Sequence, residues 1–245
     1  MPEADGLLEV VALNADDAER AQEGGADRVH VCAWDDGEPR SVEPAEVSAI
    51  ARACDIPVRV TLRLSGGFST QGGEFTRLVG LAGDYLSLGA EGFAFGFLTR
   101  DLELDVDVCR ALGEAVAPAP WTFDRAFDQV LDQRRARRQL RDLPGLDGVY
   151  TAGAALGMAA GFDDLVAAAE ADPAFATLAI AAGGTAPEQL PWLVRAGVRR
   201  LHVGAAARPG GSWSKARVDT GFVRSWRLLL DAELDAFPRH AQGAG

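Results

Sequence analysis

The stretch Trp121-Thr122-Phe123-Asp124-Arg125-Ala126-Phe127-Asp128 opens as an alternating strand and closes with three charged residues in five positions. Side chains alternate across a strand, so Trp121 and Phe123 share one side and Thr122 and Asp124 the other. Aromatic residues set against a helix layer, with polar residues facing inward, describe a barrel strand whose C-terminal end carries chemistry. The plainer reading is a strand running into a solvated turn, with Asp128 capping the next helix.

On either side of this stretch the chain repeats one unit. Apolar or alternating runs at 7–11, 28–32, 58–63, 92–97, 147–151, 178–182 and 200–204 read as strands. Helical patterns follow at 15–23, 43–53, up to 88, 105–116, 128–141, 162–171, 187–195 and 219–237. Asn14 and Gly24-Gly25 bound the first helix, and Pro187 opens the seventh. Ser65 to Gly73 is Gly-rich and reads as a flexible loop. Strand followed by helix, eight times and with no dividing linker, fits a single (β/α)8 TIM barrel of the α/β class, typically about 250 residues long. A doubly wound open sheet is the competitor, and usually has fewer strands at this length. The expected layout is a flexible N-terminus at 1–6, a barrel at 7–237 and a disordered Gly- and Ala-rich tail at 238–245.

Composition narrows the partners. The 245-residue chain is 48% hydrophobic and carries a formal charge of −12. Strong acidity argues against nucleic acid or an anionic membrane as partner. No apolar run reaches the length that spans a bilayer, and no signal-peptide pattern opens the chain. Cys32, Cys54 and Cys109 are an odd number without a CxxC spacing, so neither a disulfide framework nor a zinc site is signalled. A reducing cytoplasm suits them.

If the bulkier apolar set faces the helices, the lumen carries Glu9, His30, Cys32, Arg59, Thr61, Arg63, Thr122, Asp124 and His202. Gly92, Ala94 and Gly96 leave one wall open. Barrel interiors are normally filled by branched apolar side chains. Burying this many charges for structure alone is unfavourable unless all are paired. The loops Ala182-Gly183-Gly184-Thr185 and Gly204-Ala205-Ala206 follow the last two strands, where barrels often hold phosphate on backbone N–H groups. Gly183, Gly184, Gly204 and Ala205 are therefore candidate anion-binding positions. Tight turns would also account for the glycines.

At this point the chain resembles the copper homeostasis protein CutC family, from Leu7 to about His202. The resemblance rests on Leu8-Glu9-Val10, Gly25-Ala26-Asp27-Arg28-Val29, Gly66-Gly67-Phe68, Gly73-Glu74-Phe75 and the stretch Thr122 to Asp128. That stretch matches six of seven positions of the family's Thr-Phe-His-Arg-Ala-Phe-Asp. The resemblance implies a (β/α)8 barrel, often dimeric, cytosolic and linked to copper tolerance. Copper is implied by it alone, and the residues assign no metal ligands. Glu9, Arg63, Arg125 and Asp128 match the family's polar positions. His30 stands where the family carries Glu, and Asp124 where it carries His. Arg63-Leu64-Ser65-Gly66-Gly67 replaces Arg-Pro-Arg-Gly-Gly, Val11-Ala12 stands where some members have cysteines, and Gly204-Ala205 replaces a Ser-Ser pair.

Two functional classes follow. One is a copper homeostasis protein with a polar pocket at the C-terminal ends of the strands. Cu(I) prefers thiolate and thioether ligands, and only Cys32 falls in the expected lumen. The other is an acid/base enzyme, of isomerase, lyase or hydrolase type, acting on a small anionic metabolite, a phosphorylated one among the candidates. Its groups would be Glu9, His30, Arg63, Asp124, Arg125 and Asp128. A Schiff base is disfavoured, since Lys215 is the sole lysine and lies beyond the strands. His30 and Asp124 are expected to form one unit with Glu9 and Arg63 at a single pocket.

Overall fold

A computed structural model describes residues 6–35, 38–213 and 216–238. Apart from Gly6 and Pro238, the expected flexible N-terminus and disordered tail lie outside the described residues, as does Lys215. The elements in order are β1 (Leu7–Ala12), α1 (Ala15–Gly24), β2 (Arg28–Val31), β3 (Ala33–Asp35), β4 (Glu38–Arg40), α2 (Pro44–Ala51), β5 (Val58–Thr61) and α3 (Gly72–Ser87). They continue with β6 (Gly92–Phe95), α4 (Val106–Val116), β7 (Trp121–Phe123), α5 (Gln133–Leu140), β8 (Leu146–Thr151), α6 (Met158–Ala171) and α7 (Pro173–Leu178). The chain closes with β9 (Ala179–Ala181), α8 (Leu190–Arg195), β10 (Arg200–Val203) and α9 (Thr220–Ala236).

Eight strands close a parallel barrel in the order β1-β10-β9-β8-β7-β6-β5-β2. This is the (β/α)8 barrel expected from the strand–helix repeat. The outward-facing residues explain why it closes. Val29, Val31, Val58, Val60, Phe93, Phe95, Trp121 and Phe123 are all buried beneath the helices. Trp121 stacks on Phe95 at 4.1 Å between ring centroids, and its indole N–H donates to the Pro144 carbonyl at 2.8 Å. The decisive stretch is therefore fixed by its aromatic face, which leaves Thr122 and Asp124 pointing inward.

Local chemistry sets the element ends. Asn14 accepts from the Asp17 N–H at 3.0 Å, and Gly25 ends α1 in the left-handed region at φ 95°. Asp17 is buried and receives the Leu13 N–H, the Val218 N–H and the Arg208 guanidinium, tying the first turn to the last loop.

Four expectations change. The helix at 128–141 is instead a 3-10 turn at Arg125–Gln129 followed by α5. Its start is capped by Asp124, whose carboxylate accepts from the Ala126 N–H at 2.9 Å, and the cap of α5 is Asp132 rather than Asp128. An unexpected hairpin, β3–β4, rises over the mouth. The helix at 162–171 begins earlier, at Met158. Nor is the Gly92, Ala94, Gly96 wall open. A Cβ at Gly92 would lie 3.1 Å from Arg59 Nη2, and one at Gly96 would lie 2.6 Å from Asp124 Oδ1. The missing side chains make room for charged ones reaching across.

Candidate functional site

The polar groups form two levels inside the barrel. The lower is a charge network. Arg59 grips Asp147 with two nitrogens, Nη1 to Oδ1 at 2.6 Å and Nη2 to Oδ2 at 2.7 Å, and also bonds Thr122. Asp147 reaches the lumen because the β7–β8 register shifts between Trp121 and Thr122, an irregularity that re-aims one side chain. Arg200 donates to the Asp147 carbonyl at 2.6 Å. Above this, Glu9 is fully buried and accepts from Arg28 Nε on one oxygen and the Tyr150 hydroxyl on the other. Burial alone would push its carboxyl up, but Arg28 and then His202 outweigh it and hold the group down at about 2. Tyr150 is pushed up, by burial first and then by Glu9.

Next come the imidazoles. His30 Nδ1 lies 2.8 Å from His202 Nε2, and His30 Nε2 lies 2.8 Å from Thr61 Oγ1. One ring must donate and the other accept, so two neutral imidazoles satisfy the contact. Burial, then the neighbouring His202, pulls His30 down to about 3, and burial also lowers His202. Both are neutral near pH 7. The relay can hydrogen-bond a polar group above it or pass a proton along it.

The upper level opens into a cavity of about 510 Å³ at the C-terminal ends of the strands. His30, Thr61, Arg63, Asp124, Arg125, Tyr150 and His202 line it, with Gly183, Gly184, Thr185, Gly204, Ala205 and Ala206 along one side. Trp34 on the hairpin stacks on Trp213, with centroids 4.4 Å apart and planes at 9°, as an aromatic wall.

Three of the four residues expected at one pocket line this cavity: His30, Arg63 and Asp124. Glu9 does not; it lies beneath, sealed by Arg28 and Tyr150. His30 and Asp124 do not bond each other. His30 belongs with His202 and Thr61. Asp124 pairs with Arg63 Nη2, which also donates to the Gly96 carbonyl at 2.9 Å, while Nη1 donates to the Gly67 carbonyl at 2.5 Å. Arg63 is 3% exposed and thus a strut more than a free anion ligand. Asp128 does not cap a helix. It is buried, accepts from the Thr151 hydroxyl at 2.7 Å and the Ala152 N–H, and pairs with Arg125 Nε at 2.9 Å. Burial raises its pKa, against the opposing Thr151 bond.

Tyr150, Thr185, Asp147 and the Trp34–Trp213 wall were not singled out from sequence. Tyr150 could have been, since it shares a strand side with Gly148. Asp147 could not, because the register shift breaks the alternation.

The donor sets bear on copper. Cys32 lines the cavity edge, but burial raises its thiol to about 12, which disfavours the thiolate that Cu(I) prefers. Among the described residues one group could converge on a metal ion: Glu9, His30 and His202, with donor atoms within 4.8 Å of one another. Both Glu9 oxygens are already bonded, the imidazoles bond each other, and Arg28 sits against the carboxylate. This nitrogen–oxygen set does not fit Cu(I), and the surrounding guanidinium charge opposes any cation.

No helix among the described residues is long and apolar enough to cross a membrane. Comparison with known proteins points one way. The CutC family model matches residues 6–207. A CutC family protein of Enterobacter sp. (strain 638) is 28% identical over 96% of this chain and 92% of its own length. The human copper homeostasis protein cutC homolog is 34% identical over 60% of this chain, and the match spans 54% of the human protein. The solved structure of CutC from Streptococcus agalactiae superposes with a TM-score of 0.71 at 21% identity, covering 81% of this chain and 98% of that one. A thiamine phosphate pyrophosphorylase from Pyrococcus furiosus superposes at 0.59 and 14%, a likeness of fold. Six of seven central-motif positions, the barrel and the family match over residues 6–207 agree: the chain belongs to the CutC family.

Proposed function

We propose that this protein acts in copper homeostasis, as its curated relatives are named, by binding a small anionic molecule in the strand-end pocket rather than by ligating copper through its thiols. The observation that carries this is the cavity itself. It is of small-ligand size, lined by a neutral imidazole relay, an arginine and two glycine-bearing loops. We place the protein in the cytoplasm, which suits three unpaired cysteines, and propose that it works as a homodimer, as the family resemblance implies. Nucleic acid and anionic membranes are unsuitable partners for a chain of net charge −12.

The acid/base enzyme is not the favoured reading. The human and mouse relatives are named for copper homeostasis and not for a reaction, and His30 and His202 already satisfy each other.

Two measurements test the proposal. Protein incubated in a small-molecule extract and re-isolated should release an anionic compound on denaturation, detected by untargeted mass spectrometry; protein that retains nothing contradicts it. Competition for Cu(I) against a chelator should give the same weak result for wild type and Cys32→Ser. A tight stoichiometric site abolished by that change contradicts it too.

A further inference from the structure

The mouth holds polar groups with nothing to bond. Thr185 is 8% exposed, lines the cavity, and its hydroxyl has no hydrogen-bond partner. Buried hydroxyls are ordinarily satisfied, so an orphan beside a cavity points to a missing ligand. Arg125 uses Nε for Asp128 and Nη2 for the Ala154 and Ala155 carbonyls at 3.3 Å, and its Nη1 has no partner among the described residues. The same guanidinium lies against the loop that carries Thr185: a Cβ at Gly183 would sit 2.8 Å from Arg125 Cζ. Gly183 and Gly184 both take positive φ, 80° and 94°, and the space where a Gly184 side chain would be is empty within 4 Å. A ligand can therefore rest directly on that backbone.

Deepening the pocket reading above, on which it rests, we propose that the ligand is a phosphate monoester with an otherwise uncharged polar body. The phosphate is seated between Arg125 Nη1, the Thr185 hydroxyl and the backbone of the Gly183–Thr185 and Gly204–Ala206 loops. Donors converging from a guanidinium, a hydroxyl and two loops suit a tetrahedral anion better than a planar carboxylate. The remainder of the ligand faces His202, Thr61 and the Trp34–Trp213 wall. Arg63 and Asp124 neutralise each other there, so no free charge waits for a second ionic group. The cavity at the opposite end of the barrel, about 410 Å³, offers no equivalent seat, because the carboxylates Asp27 and Glu91 line it beside Arg28 and Arg59, which already hold Glu9 and Asp147.

Calorimetric titration tests this with three probes: inorganic phosphate, glycerol 3-phosphate, and 3-phosphoglycerate, which adds a carboxylate to a similar skeleton. Wild type should bind glycerol 3-phosphate one to one, more tightly than either other probe. Arg125→Met and Thr185→Val should each weaken it at least tenfold, with Thr185→Val unfolding no earlier than wild type. Equal binding by wild type and both variants, no binding of any probe at millimolar concentration, or preference for 3-phosphoglycerate overturns the proposal. The two readings separate in the extract experiment. A retained compound without phosphate, or one held equally by both variants, overturns the phosphate seat alone, whereas a wild type that retains nothing overturns the pocket reading as well.

Discussion

The lower barrel and its mouth both carry arginines, yet they are built on opposite rules. Below, Arg28 pairs with Glu9 and Arg59 with Asp147 deep inside the barrel, and Arg200 donates to the Asp147 carbonyl. At the mouth, Arg125 also pairs, with Asp128, but its side chain stands 37% exposed, and the buried Thr185 hydroxyl beside the cavity has no partner. Buried charge is tolerable for structure when it is paired; a buried hydroxyl left unbonded at a cavity is a cost that a bound molecule would relieve. On the proposed reading, the difference separates the polar residues that hold the barrel together from those that face a ligand, and residue type alone does not reveal it.

The largest expected effect breaks the lower level. Glu9→Gln removes the anion from Arg28 and leaves a buried guanidinium uncompensated, which should cost about 3–5 kcal/mol in chemical denaturation. A loss below about 1 kcal/mol would mean the level is not structural. The effect on phosphate-ester affinity should be minor if the variant is folded.

Acid sharpens the same contrast. The folded pKa of His30 is depressed to about 3 from an ordinary 6.5. Between those values the unfolded chain binds a proton that the folded one refuses, so stability is fully present above about pH 6.5 and falls as pH drops toward 3. The slope reaches about 1.4 kcal/mol per pH unit for each such group. Glu9, depressed to about 2 from 4.5, acts in the same direction: its contribution is present above 4.5 and lost as pH falls through 2. His30→Gln should flatten the curve between pH 6 and 4, and an unchanged slope would locate the acid sensitivity elsewhere.

A smaller effect concerns the two positions that depart from the family pattern. His30 bonds His202 and Thr61, whereas Asp124 bonds Arg63. Without shared partners, His30→Ala and Asp124→Ala should add in stability to within about 0.5 kcal/mol. A larger coupling in a double-mutant cycle would show that the two act as one unit after all.

How far the sequence could be read follows from these particulars. Period-two alternation places Thr122 and Asp124 inward and Trp121 and Phe123 outward, and the eightfold strand–helix repeat yields the barrel. Alternation names the face of a strand but not the height within the barrel. Glu9 therefore reads as a pocket residue although it lies one level down under Tyr150 and Arg28. The register shift that turns Asp147 inward leaves no mark in the pattern, and 128–141 reads as one helix until Asp124 is seen capping a 3-10 turn at Arg125–Gln129. The glycine loops at 183–184 and 204–205 were legible as candidates, and they do line the cavity. The orphan hydroxyl of Thr185 was not, since satisfaction of a polar atom is a property of its surroundings.

The separation of a structural lower level from a ligand-seeking mouth is tested most directly by one variant. Thr185→Val keeps the shape and removes only the unpartnered hydroxyl, so its thermal unfolding and its stabilisation by saturating glycerol 3-phosphate can be measured side by side with wild type. The predicted result is an unfolding midpoint equal to or above that of wild type, with most of the ligand-induced rise gone. A lowered midpoint with the full ligand-induced rise retained would contradict it, because the hydroxyl would then serve the fold and not the ligand.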